Sequence, residues 1–119
     1  MIIALWIVTI LLALLFLLAG AVKAMQSREA VLARMAWVED VTAGQLKAIG
    51  VLEMLGAIGL VLPAAAPLVW WLTPVSAFAL AVTMAVAVAL HVRRREGFAP
   101  SLVLAVVSLA VGIGWLLLR

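Results

Sequence analysis

Residues 49–62 read Ile-Gly-Val-Leu-Glu-Met-Leu-Gly-Ala-Ile-Gly-Leu-Val-Leu, an apolar run that contains one carboxylate, Glu53. A carboxylate in such a run is expected to lie inside a lipid bilayer. There it costs roughly 2.5–3.5 kcal/mol on insertion scales unless it faces protein, is paired or takes up a proton. Glu53 is therefore the first candidate functional residue, and the run around it is the first candidate membrane span.

The composition extends this interpretation to the whole chain. Of the 119 residues, 70% are hydrophobic and 11% are charged, and the mean hydropathy is +1.40. Soluble domains are about 45–50% apolar and about 25% charged, so lipid has to be the main solvent of this chain. A helix crossing the hydrocarbon core needs about 20 apolar residues. Four such spans fill the chain, at about residues 2–22, 46–62, 69–92 and 101–118.

The connections between these spans predict their arrangement. The first connection is long and polar, and it predicts a short amphipathic helix over residues 28–38 that lies on the headgroups with Trp37 as an anchor. An ordered loop without a helix is the alternative. Residues 63–67 form a proline turn, and residues 93–97 are basic and end in a glycine suited to a helix C-terminus. Because short connections favour antiparallel neighbours, we predict an all-α, four-transmembrane-helix up-down bundle that forms one domain over residues 1–119.

The basic residues predict the orientation of the bundle. They flank the first connection and fill the third, so the positive-inside rule places these two connections in the cytoplasm and both termini outside. Four tryptophans fall near the predicted outer ends of the spans, where an aromatic belt is expected: Trp6, Trp70, Trp71 and Trp115.

Small and hydroxylated residues indicate which helix faces look inward, because helix interfaces in lipid favour them. In spans one and two this face comprises Thr9, Ala13, Phe16, Gly20, Lys23, Gly50, Glu53, Gly56 and Ala57. The opposite face of span one, expected to meet lipid, comprises Ile7, Leu11, Leu14 and Leu18. Glu53 is therefore predicted to point into the bundle.

Spans three and four carry further rows of this kind. In span three an alanine row is predicted to be a packing ridge: Ala77, Ala81, Ala85 and Ala89. A partly polar row beside it is a candidate cavity lining: Ser76, Thr83, Ala87 and His91. In span four, Ser108 and Gly112 form a small-residue pair. The sequence leaves open whether these rows serve helix packing alone or also line a cavity, and whether they are used within one bundle or in a homodimer.

Three ionisable residues fall at comparable depth, namely Lys23, Glu53 and His91. We predict an intramembrane pair of Glu53 and Lys23, with His91 nearby as a hydrogen-bond donor, as the candidate binding site. A buried pair of this kind can also fix helix register with little net stability. A ligand or partner contact and proton transfer are the other interpretations, and no residue is assigned a catalytic role.

Several classes of function are excluded. The chain has no cysteine, which excludes thiol chemistry, thiolate metal sites and iron–sulfur clusters. It has one histidine and no cluster with metal-ligand spacing, so no metal site is predicted. The net charge of +3 comes from basic residues in the connections, which are too few for a nucleic-acid surface.

Three sequence elements carry a resemblance to a known family. They are Ala-Gly-Ala-Val-Lys at residues 19–23, Met-Ala-Trp-Val-Glu-Asp at residues 35–40 and Ile-Gly-Val-Leu-Glu-Met-Leu-Gly-Ala-Ile-Gly-Leu at residues 49–60. Together they resemble the DoxX-like family of small bacterial membrane proteins, over nearly the whole chain. The resemblance implies a four-helix bundle in the bacterial inner membrane and makes Lys23 and Glu53 the characteristic polar pair of the family.

The resemblance implies no reaction. Relatives are associated with thiosulfate–quinone oxidoreduction, with membrane oxidative-stress assemblies and, more distantly, with animal chaperones for receptor assembly. This chain has no cysteine for sulfur transfer and no flavin or haem motif, which argues against an oxidoreductase that works alone.

We therefore expect a binding protein and not an enzyme. Its partner in the bilayer would be a membrane protein, a lipid or a hydrophobic small molecule held at Glu53 and Lys23. The first alternative is a membrane subunit of a redox system, for which quinone is the candidate cofactor. The second is a proton-coupled carrier that works as an oligomer, because four short spans leave little room for alternating access in one chain.

Overall fold

Four long apolar helices and several short helical segments make up the computed structural model, which describes residues 1–118 and contains no strand in that range. The α-helices are α1 (Ile2–Met25), α2 (Arg28–Leu32), α3 (Ala43–Val61), α4 (Leu72–Arg93) and α5 (Ala99–Leu118). Two 3₁₀ helices, Ala36–Asp40 and Pro63–Ala65, lie in the first and second connections. The four predicted spans are confirmed as helices α1, α3, α4 and α5, with ends that differ by a few residues.

The four long helices pack as a ring. Helix α1 packs most extensively on α3 and α4 on α5, while contacts of α3 with α4 and of α1 with α5 close the ring. We call the end that carries the first and third connections the loop end. The other end, which carries the N-terminus and the second connection, is the terminal end.

Glycines set the distance between α1 and α3. A Cβ atom built on Gly50 would lie 2.6 Å from the backbone nitrogen of Ala24 and 2.6 Å from the carbonyl oxygen of Gly20. A Cβ atom on Gly20 would in turn lie 2.5 Å from the carbonyl oxygen of Gly50. Because the atoms in the way belong to backbone, only glycine at both positions permits this close approach.

The inward faces of α1 and α3 are largely as predicted. All five predicted inward residues of α1 are buried, and so are Gly50, Glu53 and Ala57 of α3, whereas Gly56 is half-buried. The predicted lipid face of α1 is exposed at Ile7, Leu11, Leu14 and Leu18. In α5, Ser108 and Gly112 are buried, and Gly112 packs against the ring of Phe78 in α4. The small-residue face of α5 is therefore used inside this bundle.

The alanine ridge predicted for α4 is wrong. Ala77 is fully buried, but Ala85 and Ala89 are exposed. A row with four-residue steps turns about 40° per step around a helix of 3.6 residues per turn, so three steps carry it about 120° away from the core. The partly polar row that contains Thr83 and His91 faces the interior instead.

Trp115 is not part of an exposed aromatic belt. It is 1% exposed, and its indole nitrogen donates a hydrogen bond to Thr9 Oγ1 over 3.0 Å. Its ring meets that of Trp6 edge-on, with ring centroids 5.1 Å apart. Trp115 follows Ser108 and Gly112 at helical spacing, so it shares their buried face and ties α5 to α1 near the terminal end.

The first connection folds as two short helices and not as one helix over residues 28–38. The Arg28 guanidinium donates to the carbonyl oxygens of Val41 and Val38, over 2.9 and 3.0 Å. These bonds draw the chain back on itself, so that Val31, Val38 and Leu46 form a small core of their own. The third connection also differs from the prediction, because Arg95 and not Gly97 adopts the left-handed conformation, with a φ of 59°.

Candidate functional site

The predicted pair between α1 and α3 is present as a buried ion pair. Lys23 Nζ donates a hydrogen bond to Glu53 Oε1 over 2.6 Å, and the two residues are 8% and 1% exposed. Gly50 leaves room for the aliphatic part of Lys23, whose Cβ would lie 2.9 Å from a Cβ built on Gly50. The ammonium group thus reaches a carboxylate one helical turn further along α3.

Trp37 covers this pair from the first connection. The centroid of its ring lies 5.9 Å from Lys23 Nζ, within the range of a cation–π interaction. Trp37 is half-buried and faces the interior of the bundle. Sequence reasoning missed the place of Trp37 in the site, and its role as an anchor in the headgroups stays a prediction. In the sequence, Trp37 lies in the connection between two hydrophobic spans. That position is compatible both with an anchor in the headgroups and with a contact to the ion pair.

A cavity of about 440 Å³ lies beside the ion pair, in the half of the bundle near the loop end. All four long helices contribute to its wall, and Met35 and Trp37 of the first connection line it as well. Most of the lining is apolar. Its polar side chains are Lys23, Glu53, Thr83, His91 and Ser101. The structure therefore brings all three predicted site residues to one cavity.

His91 lines the cavity but is bonded to another residue than predicted. Its Nδ1 donates to Glu96 Oε1 over 3.2 Å. The end of α4 explains this contact, because the backbone N–H groups of Glu96 and Arg95 bond back to the carbonyl oxygens of His91 and Val92, as in a Schellman motif. This turn brings the side chain of Glu96 next to that of His91. His91 therefore donates its hydrogen bond to Glu96 and not, as predicted, to the ion pair.

Arg94 joins the first and third connections, and sequence reasoning missed this role. Its guanidinium donates to Asp40 Oδ2 over 2.7 Å and to Glu39 Oε1 over 2.8 Å, and its Nε lies 3.1 Å from Glu96 Oε2. We call Arg94, Glu39, Asp40 and Glu96 the Arg94 cluster. Arg94 also donates to the carbonyl oxygen of Ala36 over 3.1 Å. Nothing in the run of three arginines singles out this one.

The contacts of the Arg94 cluster change the pKa values of Arg94 and Glu96. Hydrogen bonds to Asp40 and Glu39 raise the pKa of Arg94 above its usual value. Burial tends to raise the pKa of Glu96, but hydrogen bonds from His91 and Arg94 outweigh it and hold this pKa below the usual range. A lowered carboxyl pKa contributes stability that is present at neutral pH and lost as the pH falls through the folded-state value. The stability that Glu96 contributes is therefore expected to decrease only below about pH 4.5, the ordinary pKa of a glutamate.

Removing the Arg94 side chain should release the first connection. In the variant Arg94→Gln we expect faster amide hydrogen exchange in residues 36–41, because their polar contacts with the third connection are lost. Exchange in α1 and α3 should stay unchanged. The neighbouring Arg93→Gln is the control, since Arg93 is exposed and, among residues 1–118, shows no hydrogen bond or ion pair with the first connection. Equal exchange in the two variants would show that Arg94 does not hold the connection.

A second, shallower space lies outside the cavity at the loop end. This vestibule has a volume of about 360 Å³, and Arg34, Glu96 and Gly97 lie in its wall. It shares Met35, Trp37, His91, Pro100 and Ser101 with the lining of the cavity. Within residues 1–118, no group of three histidine, cysteine, aspartate or glutamate side chains is placed to hold a metal ion.

Comparison with known proteins identifies a family for this chain. No curated protein and no solved structure matches the chain. A family model does match, and it covers residues 7–113, which include α3 and α4, most of α1 and α5, the ion pair and the Arg94 cluster. This match spans most of the chain and agrees with the resemblance seen in the sequence. The chain is a multi-pass membrane protein that belongs to the DoxX-like family.

Proposed function

We propose that this protein binds a hydrophobic small molecule in the cavity beside Lys23 and Glu53. The observation that carries the proposal is the cavity itself. Its volume of about 440 Å³ falls in the range of about 300–1,000 Å³ that is typical of ligand pockets. A mostly apolar lining with a few polar groups on one wall is also typical of such pockets. Protein interiors are otherwise closely packed, with few voids larger than a water molecule.

The ion pair offers polar contacts to a ligand. An ammonium group has three donors, and a carboxylate has two acceptor oxygens. In the described part of the chain, the hydrogen bond between Lys23 and Glu53 is the one seen for either side chain. Two Lys23 donors and one Glu53 oxygen therefore stay available. A pair that served helix register alone would need neither these free groups nor a cavity beside them.

The orientation of the protein forms part of the proposal. We propose that the loop end faces the cytoplasm and that the bilayer is the bacterial inner membrane. The support is the positive-inside rule, because lysines and arginines concentrate at the loop end: Lys23, Arg28, Arg34, Lys47, Arg93, Arg94 and Arg95.

Filling the cavity tests the proposal. Ala87 lines the cavity, so a leucine there should occupy ligand space, whereas Ala85 on the same helix is exposed and does not line it. We expect small molecules extracted from mildly solubilised wild-type protein to be reduced about tenfold in Ala87→Leu, since about 1.4 kcal/mol of lost affinity has that effect. The measurement is mass spectrometry of the extract, with Ala85→Leu as the control.

The outcomes separate the interpretations. An extract that is the same for both variants, or a wild-type extract no richer than that of an unrelated membrane protein, would contradict binding in the cavity. A quinone among the retained molecules would favour the redox-subunit alternative. The double variant Lys23→Met with Glu53→Gln addresses the ion pair, because loss of the molecule from a folded double variant would identify the pair as its polar contact.

A further inference from the structure

We infer that the ligand enters the cavity sideways from the bilayer, between α3 and α4, and that it is an uncharged amphiphile with a hydroxyl headgroup. This inference rests on the proposed function and specifies its ligand class and route. The headgroup would meet Lys23 and Glu53, while the chain would extend through the opening into the lipid.

The seam between α3 and α4 is closed near the terminal end. There, Gly56 packs against the side chain of Leu80, and Gly59 packs against Ser76. The Thr73 hydroxyl also donates to the carbonyl oxygen of Leu60 over 3.1 Å. These contacts leave no passage into the bundle in this half of the seam.

The same seam opens toward the loop end. Val82 and Val86 of α4 line the cavity, yet each is 65% exposed on the outer surface of the bundle. A side chain can line the cavity and also be exposed on the outer surface only if it lies at the edge of an opening. Ile49 and Glu53 contribute the α3 side of this part of the cavity. The opening thus lies at the depth of the ion pair and faces the acyl chains.

Two other routes are more obstructed. The seam between α1 and α3 is closed by backbone contact at Gly20 and Gly50. Toward the loop end, Met35 and Trp37 lie across the cavity, and the Arg94 cluster fixes the connection that carries them. Entry at the loop end would also require a hydrophobic ligand to leave the bilayer and pass through water, which is energetically unfavourable.

The charges of the site favour an uncharged headgroup. Lys23 and Glu53 neutralise each other. A carboxylate ligand would compete with Glu53 for the ammonium, and a cationic one would compete with Lys23 for the carboxylate, which leaves one buried charge unpaired in either case. A hydroxyl group can accept from Lys23 and donate to Glu53 at the same time, so the pair stays intact. In the adjoining vestibule, Glu96 is already bonded to His91 and Arg94.

The headgroup can be tested with three probes that share one dibrominated stearyl chain and end in an alcohol, a carboxylate or a trimethylammonium group. Bromine quenches tryptophan fluorescence on contact. Trp37 lines the cavity, so the difference between wild type and Trp37→Phe isolates quenching inside it, because the other four tryptophans are common to both proteins. In proteoliposomes we expect the alcohol to saturate this signal at a mole fraction about tenfold lower than either charged probe.

The route can be tested with two valines on the same face of α4. Phenylalanine at Val86 should narrow the opening, whereas Val75→Phe lies on the same face near the terminal end, away from the cavity, where Val75 is 52% exposed. After rapid mixing with probe-loaded vesicles, quenching of Trp37 by the alcohol should develop about tenfold more slowly in Val86→Phe. Val75→Phe should match wild type in both rate and extent.

Each result bears on one claim. Equal rates in the two valine variants would overturn lateral entry, and saturation by a charged probe at the same or a lower mole fraction would overturn the uncharged headgroup. Both of these results leave the proposed function standing. Absence of saturable Trp37 quenching by all three probes in the wild-type protein would overturn this inference, whereas Ala87→Leu and Ala85→Leu extracts decide the proposed function independently.

Discussion

Replacing Lys23 by methionine alone should lower the free energy of unfolding by about 3–5 kcal/mol, the range seen when one partner of a buried ion pair is removed. The substitution leaves Glu53, which is 1% exposed, without its counter-ion. The measurement is equilibrium unfolding in mixed micelles with increasing denaturing detergent. Lys47→Met is the control, because Lys47 is exposed at the same end of the bundle and should change stability by less than about 0.5 kcal/mol.

The double variant Lys23→Met with Glu53→Gln should recover most of this loss. Both charges are then absent, and neutral side chains of similar size fill the same space. Since removal of either partner alone should cost about 3–5 kcal/mol, the interaction energy from the double-mutant cycle should be at least about 3 kcal/mol in magnitude, at the upper end for residues in direct contact. A double variant as unstable as the sum of its single variants would show that the two residues stabilise the bundle independently.

Replacing Gly50 by alanine should separate α1 from α3. The added methyl group would lie 2.6 Å from backbone atoms of Ala24 and Gly20, and backbone cannot turn aside as a flexible side chain can. Overpacking of this kind costs about 1–3 kcal/mol and sometimes more. A large effect is expected because the same methyl group would also lie 2.9 Å from Lys23 Cβ, at the base of the ion pair. Unfolding in mixed micelles is again the measurement.

Gly44 provides the matched control. It belongs to the same helix, and a Cβ built there has one neighbour within 4 Å, Thr42 Oγ1 at an ordinary 3.9 Å. Alanine is favoured over glycine in helices by about 0.5–1 kcal/mol, so Gly44→Ala should be neutral or slightly stabilising. If Gly50→Ala were as harmless as Gly44→Ala, the close approach of α1 and α3 would not be a requirement of the fold.

The sequence was sufficient to predict the spans and the inward faces of the first two. Hydropathy identifies a span because a bilayer demands a long apolar helix. In α1, small and polar residues at alternating three- and four-residue steps stay on one side of the helix, so their shared burial follows from helix geometry. The ion pair was predictable too, because a carboxylate within a span needs a partner and Lys23 lies at a similar depth.

The other features depend on tertiary packing. Arg94 meets acidic residues more than fifty positions away in the sequence, and only the folded bundle distinguishes it from Arg93 and Arg95. The partner of His91 is set by the turn that ends α4, and that turn has an arginine where glycine is usual. The partly polar row of α4 indicated a possible cavity, but the sequence could not distinguish a cavity from close packing, because the same small residues occur in closely packed helix pairs.

The side-chain contacts that join the α1–α3 pair to the α4–α5 pair are distributed unequally along the bundle. Near the terminal end, α1 is bonded to α5 through Thr9 and Trp115, and α3 to α4 through Leu60 and Thr73. At the opposite end, the α1–α3 pair is fastened to the α4–α5 pair by the arginine at the end of α4. The two helix pairs are thus joined along both seams near the terminal end, but at the loop end they are joined through Arg94. We therefore expect loss of the Arg94 contacts to let the two helix pairs separate at the loop end, beside the cavity, before they separate at the terminal end.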